Sequence, residues 1–336
     1  MNMGQAPNLV DAFGRTITYL RISVTDRCDF RCTYCMAENM TFLPRRDVLS
    51  FEEIETIARA FVKRGVTKIR LTGGEPLVRR DIAKLLDRLG GLRSEGLSEL
   101  TLTTNGNQLE KHAVSLHEAG VRRINVSLDT LDEDRFRSVT RWGKLENVLS
   151  GIRAAAAAGL SVKINTVALR SLNEDELGDM VAWAHGEGHS ITFIETMPMG
   201  QTDRDRADDY LPLSVVKERL AERFTLSPLV KSTGGPARYF RSEATRGDVG
   251  FITPLTYNFC AGCNRVRLTA KGELFMCLGQ GDHVDLRALV RQDPAGSLLD
   301  AALDEAMRLK PEGHDFTIER GAKNVAVDRH MSVTGG

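Results

Sequence analysis

Five times in the first two-thirds of the chain a glycine is followed at once by a short run rich in Ile, Val, Leu and Thr. These are Gly65 before Val66–Thr72, Gly96 before Leu97–Thr103, Gly120 before Val121–Ser127, Gly159 before Leu160–Thr166 and Gly188 before His189–Glu195. A glycine in that place suits the left-handed position that closes a helix, and the runs behind it suit strands. Helical patterns precede the glycines. One starts at Ser50, with Glu53 three residues on as a capping box, and continues through Ile54, Ile57, Ala58 and Phe61; others cover roughly 80–90, 108–119, 145–158 and 174–187. With an initial strand near Ile17–Val24, six strands alternate with helices, which implies parallel strands and right-handed crossovers. A doubly wound sheet is the competing arrangement, but no GxGxxG follows the first strand. The expected fold is α/β: a partial (β/α)6 barrel over residues 1–212, with a smaller C-terminal α+β unit over 213–336.

Read with a period of two, the strands have one polar face: Arg21 and Ser23, Arg70 and Thr72, Thr101 and Thr103, Asn125 and Ser127, Lys163 and Asn165. The alternate residues, such as Ile22, Ile69, Leu102, Val126 and Ile164, are apolar and suit packing under helices. Parallel strands in such a fold are covered on both sides, so the polar face is not a solvated edge. Buried Lys and Arg are costly unless paired, so a polar interior predicts a wet cavity made for an anion. Motifs cluster where β/α barrels carry their chemistry, at the C-terminal ends of strands. Cys28–Cys35 follows the first strand, Gly73–Pro76 the second, Thr104–Gly106 the third, Ser127–Asp129 the fourth and Glu195–Met197 the sixth.

A formal net charge of zero argues against a nucleic-acid or anionic-membrane partner. Residues 1–15 lack an apolar signal core and no stretch is long enough to span a bilayer, so a cytoplasmic location is expected. In a reducing compartment cysteines serve as metal or redox ligands more often than as disulfides. The six here form two tight trios, Cys28, Cys32, Cys35 and Cys260, Cys263, Cys277. The first is C-x3-C-x2-C, with no histidine or fourth cysteine nearby. Structural zinc asks for four ligands, whereas a four-iron cluster held by three thiolates keeps one iron open.

That spacing after strand one, together with Gly73-Gly74-Glu75-Pro76, resembles the radical S-adenosylmethionine (SAM) superfamily. The resemblance implies a [4Fe-4S] cluster whose open iron chelates the methionine end of SAM, with Tyr34 near the adenine and the glycine motif at the amino group. One electron passed into the sulfonium then yields a 5'-deoxyadenosyl radical. The second trio is C-x2-C-x13-C. A Cys3His zinc site using His283 is a reasonable alternative. Arg265 and Arg267, on one face of a strand beside it, favour an anion-binding site instead.

The stretches Gly14–Met36, Ile69–Pro76, Arg122–Asp129, Phe193–Gly200 and Cys260–Leu268, with Gly335-Gly336, are similar to the GTP 3',8-cyclases of molybdenum-cofactor biosynthesis. The resemblance implies two [4Fe-4S] clusters, the second binding guanine. It implies GTP contacts at Arg21, Arg70, Thr103, Lys163, Arg265 and Arg267, and SAM contacts at Tyr34, Gly74, Ser127 and Met197. Catalytic roles would fall to Arg265, Arg267, Gly335 and Gly336, the last two in a tail that reaches the active site. The implied activity is a lyase-type cyclisation of GTP to (8S)-3',8-cyclo-7,8-dihydroguanosine 5'-triphosphate. Implied partners are an electron donor such as flavodoxin or ferredoxin and a downstream cyclic pyranopterin monophosphate synthase, with a homodimer as one admissible assembly. The family usually has Asn where Asp29 stands and Pro where Ala37 stands.

Residues 200–212 read as a charged surface loop, Ser232–Ala237 as a turn-rich link, and 285–309 as helices. Residues after Pro311 read either as a frayed terminus or, through Gly335 and Gly336, as a tail slim enough for a narrow channel. Two other classes remain at this point: a peptide-modifying radical SAM enzyme with an auxiliary cluster, and a non-enzymatic zinc protein.

Overall fold

In a computed structural model that describes residues 7–200, 205–318 and 327–335, the strand–helix alternation runs in the expected order. Strands β1 (Tyr19–Ser23), β2 (Lys68–Thr72), β3 (Glu99–Thr104), β4 (Arg123–Ser127), β5 (Ser161–Ala168) and β6 (Ser190–Glu195) pair in sequence, all parallel. Between them lie α1 (Phe51–Lys63), α2 (Ile82–Gly91), α3 (Leu109–Glu118), α4 (Glu133–Thr140), α5 (Leu145–Ala157) and α6 (Leu177–Gly186). The first helix starts on its capping box: Glu53 N–H donates to Ser50 Oγ at 3.1 Å and Ser50 N–H to the Glu53 carboxylate at 2.6 Å. The apolar alternates of the strands are all buried in one continuous core beneath the helices.

The C-terminal part extends both edges of this barrel fragment. Its elements are α7 (Arg206–Asp209), α8 (Leu213–Arg223), β7 (Leu226–Leu229), β8 (Arg238–Ser242), β9 (Asp248–Ile252), β10 (Arg265–Leu268), β11 (Glu273–Phe275), β12 (His283–Asp285), α9 (Leu286–Gln292), α10 (Leu299–Leu309) and α11 (Met331–Thr334). β10 pairs parallel to β1 and β9 parallel to β6, giving one twelve-stranded sheet in the order β12-β11-β10-β1-β2-β3-β4-β5-β6-β9-β8-β7. Pro228 is confined to the edge strand β7, where a missing N–H costs no ladder bond.

Register turns the polar alternation into rows across the sheet. One row runs Arg267, Arg21, Arg70, Thr101; the next below it runs Arg265, Tyr19, Lys68, Glu99. Further along, Thr103, Asn125 and Lys163 align, as do Ser127, Asn165 and Thr192. The stretch read as a charged surface loop is in part built into the structure. Arg206 donates to the carbonyls of Met199 and Gly200, Asp209 is buried against the Ser171 hydroxyl, and Leu211 lies in the core. Among the described residues, no helix is long and apolar enough to cross a membrane.

Candidate active site

The loop after β1 carries the first cysteine trio and is fastened from two sides. Gly74 N–H donates to Thr25 O at 2.9 Å and Glu75 N–H to Arg27 O at 2.8 Å, so the Gly-Gly-Glu-Pro strand end lies directly against the cysteine loop. A Cβ at Gly74 would stand 2.4 Å from Arg27 O, which explains the need for glycine there. On the other side, Arg31 and Thr33 N–H donate to Thr140 O and Val139 O, both at 2.9 Å.

Glu75 is wholly buried and gathers the rim: it accepts from Leu77 N–H at 2.9 Å, Thr104 Oγ1 at 2.8 Å and Asn105 N–H at 2.6 Å. Burial pushes its carboxyl up to about 8 in spite of these donors. Cys28, Cys32, Cys35, Tyr34, Gly74, Ser127 and Met197 line one cavity with Asn105 and Asp129. Tyr34 donates to Asp129 at 2.7 Å, and Asp129, pushed up to about 6 by burial, also accepts from Val167 N–H at 2.9 Å. Glu195 at the end of β6 does not face this cavity as a free carboxylate. It is buried, accepting from the N–H groups of Leu213, Leu255 and Thr256, and so fixes the strand end that carries Met197.

The second cavity holds the other predicted set: Arg21, Arg70, Thr103, Lys163, Arg265 and Arg267, with Cys260, Cys263 and Cys277. Arg70 donates to Tyr19 OH at 2.5 Å and to Thr103 Oγ1 at 3.0 Å, and Lys163 donates to Tyr239 OH at 3.3 Å. Burial and crowding of like charge show at Lys163, Arg267 and Tyr19. Burial, then the neighbouring cations, hold Lys163 well below the usual lysine range, and burial with Arg265 lowers Arg267 to about 10. For the Tyr19 phenol burial works upward, but Arg70, Arg21, Lys68 and Arg265 together pull it down to about 7. Such a pocket is completed by a polyanion. Thr103, Asn165, Ile194 and Met197 line both cavities, so the thiol-lined and cation-lined spaces adjoin.

Several participants escape the motif reading. Tyr19 and Lys68 lie two residues upstream of Arg21 and Arg70, on the same strand faces. The link near Ser232–Ala237 roofs the pocket: Thr233, Gly235, Pro236 and Ala237 line it, and Lys68 Nζ donates to Thr233 O at 2.6 Å. His283 does not join the second trio. It is exposed on β12, stacked on Phe275 at 5.0 Å, and does not line the cavity; His314 does. Burial raises the Cys263 thiol, but Lys310, Arg265 and Arg267 more than offset it and bring it below its ordinary range.

The tail is anchored through a bridge of Met199 with Val327 and a small apolar cluster including Phe316. From there α11 leads Ser332 into the thiol-lined cavity, and Arg267 donates to Gly335 O at 2.9 Å. Gly335 has φ +72° and a Cβ on it would meet Thr72 Oγ1, so only glycine fits. Gly336 lies outside the described residues.

All six cysteines are free thiols, three at each site; Asp129 and Glu195 also line the first cavity, each held by hydrogen bonds of its own, and His314 also lines the second, packed on Phe316 at 4.5 Å. Among the described residues no three His, Cys, Asp or Glu side chains converge as a single metal ion requires. The donor sets therefore fit three-thiolate iron–sulfur clusters with one open iron rather than closed zinc sites.

A radical enzyme on a partial β/α barrel is what this arrangement defines, and comparisons agree. The radical SAM superfamily matches residues 22–184 and the Molybdenum Cofactor Synthesis C family residues 189–316. The chain is 59% identical to a GTP 3',8-cyclase of Rhizobium etli strain CFN 42, over 98% of this chain and 94% of that one. It is 58% identical to one of Mesorhizobium japonicum, over 98% and 100%, and 57% identical to one of Brucella melitensis biotype 1, over 98% and 96%. The chain belongs to the GTP 3',8-cyclase family. In fold it is similar to Streptococcus suis SuiB bound to S-adenosylmethionine, with a TM-score of 0.58 at 16% identity over 84% of this chain and 68% of that one.

Proposed function

We propose that this chain cyclises GTP to (8S)-3',8-cyclo-7,8-dihydroguanosine 5'-triphosphate, the first step of molybdenum-cofactor biosynthesis. The observation that carries the reading is the junction of the two cavities at Thr103, Asn165, Ile194 and Met197. With two [4Fe-4S] clusters and SAM bound, the site would supply a 5'-deoxyadenosyl radical to take the ribose 3'-hydrogen; C3' would then bond to guanine C8 as the C8=N7 double bond opens, and one electron from the external one-electron donor with one proton would complete the 7,8-dihydro product at N7.

The residues divide that work. Cys28, Cys32 and Cys35 would hold the first cluster, and Tyr34, Gly74, Ser127 and Met197 border the space that SAM would fill beside it. Cys260, Cys263 and Cys277 would hold the second, on the side where the guanine would bind. Arg21, Arg70, Thr103, Lys163, Arg265 and Arg267 bind phosphate and ribose oxygens, for which their crowded, partly desolvated charge is suited. Asp129 holds Tyr34, and Glu75 and Glu195 fix strand ends, so orientation is set before substrate enters. Arg267 and Gly335 bring the tail to the reacting sugar. A one-electron donor of flavodoxin or ferredoxin type feeds the first cluster, and a cyclic pyranopterin monophosphate synthase consumes the product.

Anaerobic incubation of the reconstituted protein with SAM, a reductant and each nucleoside triphosphate in turn tests this. Only GTP should yield cyclised product together with 5'-deoxyadenosine; product from no triphosphate, or equally from all, refutes it. Iron near about eight per chain with matching sulfide accompanies the reading, and zinc without sulfide does not.

A further inference from the structure

Lys310 closes α10 and is 3% exposed. Among the described residues its ammonium has two hydrogen-bond partners, Met276 O at 2.8 Å and Cys263 Sγ at 3.7 Å, and neither is a carboxylate. A buried ammonium without an anion is costly, so its place in the fold calls for negative charge on the sulfur side.

The segment that carries it is fixed with care. Arg15, ion-paired to the buried Asp11 at 2.6 Å, donates to Pro311 O and Glu312 O at 2.6 Å and to Cys260 O at 2.8 Å. Next, Gly313 lies so close to Cys260 that an added Cβ would be 3.3 Å from its Sγ, and Gly313 O is 3.9 Å from Cys277 Sγ. Residues 310–313 therefore contact the Cys263 and Cys277 sulfurs and pass close to that of Cys260. The first trio is treated differently. Cys28 Sγ has the neutral Asn105 amide at 3.7 Å, and that same amide holds the Asp29 carboxylate at 2.7 Å.

We propose that Lys310 is the built-in counter-ion of the second cluster, a positioning and tuning residue that offsets the charge of its three thiolates and raises its reduction potential. This rests on the cluster assignment above. A positive charge beside a cluster favours its more negative, reduced form; hydrogen bonds and net charge at the sulfurs are established determinants of cluster potentials.

The test is an EPR-monitored redox titration of the full-length, anaerobically reconstituted protein as wild type, Lys310→Met and Lys310→Arg. Lys310→Met should make the second cluster about tenfold harder to reduce, about 59 mV for a one-electron couple. Lys310→Arg should recover most of that, while the first cluster, without contact to Lys310, keeps its midpoint in all three. An unchanged second midpoint in Lys310→Met overturns the proposal. If Lys310→Met fails to retain the second cluster, cluster content decides: recovery in Lys310→Arg supports the charge requirement, and equal loss in both overturns it. Failure of the underlying reading looks different, because wild type itself would then lack the second cluster.

Discussion

Tyr19 is buried beside Arg70, Arg21, Lys68 and Arg265, and its phenol is lowered to about 7 against the opposing effect of burial. On the proposed reading a bound triphosphate would neutralise those cations, so the phenol should return toward its ordinary range and take up a proton. Lys163 moves the same way, since burial and the neighbouring cations hold it below the lysine range in the free pocket. Both groups bind protons more tightly in the complex, so GTP binding takes up protons above about pH 7 and affinity falls as pH rises. Calorimetry in buffers of different ionisation enthalpy reads this directly; Tyr19→Phe should reduce the uptake, and an enthalpy independent of buffer contradicts it. Lys163→Ala should weaken GTP binding by about 2 kcal/mol, roughly thirtyfold, with SAM cleavage in the absence of GTP largely unchanged. Equal loss of that cleavage removes Lys163 from the substrate pocket. Arg21, Arg70, Thr103 and Lys163 are legible in the sequence because the strand period places them on one face. The same alternation reaches Tyr19 and Lys68 two residues upstream. Lys310 carries no such signal: its burial comes from contacts made far along the chain, through Arg15 and the second trio.

At the scale of elements, the tail shows how a segment poor in large hydrophobes still finds one place. Val327 bridges Met199, Gly200 N–H donates to Val327 O at 2.8 Å, and Gly335 passes Thr72 where a side chain has no room. Deleting Gly335 and Gly336 should leave both clusters and GTP binding in place. It should lower hydrogen abstraction by about a hundredfold, the scale of misplaced catalytic contacts. A peptide ending in Thr334-Gly335-Gly336 added in trans should restore part of the turnover. Unimpaired product formation by the truncated chain returns the tail to an ordinary terminus. The sequence leaves both readings standing because Gly-Gly is equally at home in a frayed end and in a narrow channel. Residues 205–212 are hard to read for a related reason: their charges look solvated until Arg206 is seen holding the carbonyls of Met199 and Gly200.

For the whole molecule, six βα units form an open fragment, and short strands from the C-terminal part flank it at β1 and at β6. The repeat makes the six units legible. The flanking strands are only three to five residues long and lack the glycine-led period, so their role in extending the same sheet appears only in space. That extension carries Arg265 and Arg267 beside Tyr19 and Arg21 and so completes the cationic pocket next to the thiol-lined one. The two trios should therefore fail differently. Ala at Cys28, Cys32 or Cys35 abolishes 5'-deoxyadenosine, whereas Ala at Cys260, Cys263 or Cys277 spares reduction of the first cluster and loses cyclised product. On the proposed reading, a hydrogen should cross at the junction of the cavities from the sugar in one space to the nucleoside in the other. GTP deuterated at C3', turned over anaerobically with SAM and reductant, measures that transfer by mass spectrometry of the products. Deuterium should appear in 5'-deoxyadenosine in step with cyclised product and be absent with unlabelled GTP; 5'-deoxyadenosine free of deuterium while product accumulates contradicts the adjoining-cavity mechanism.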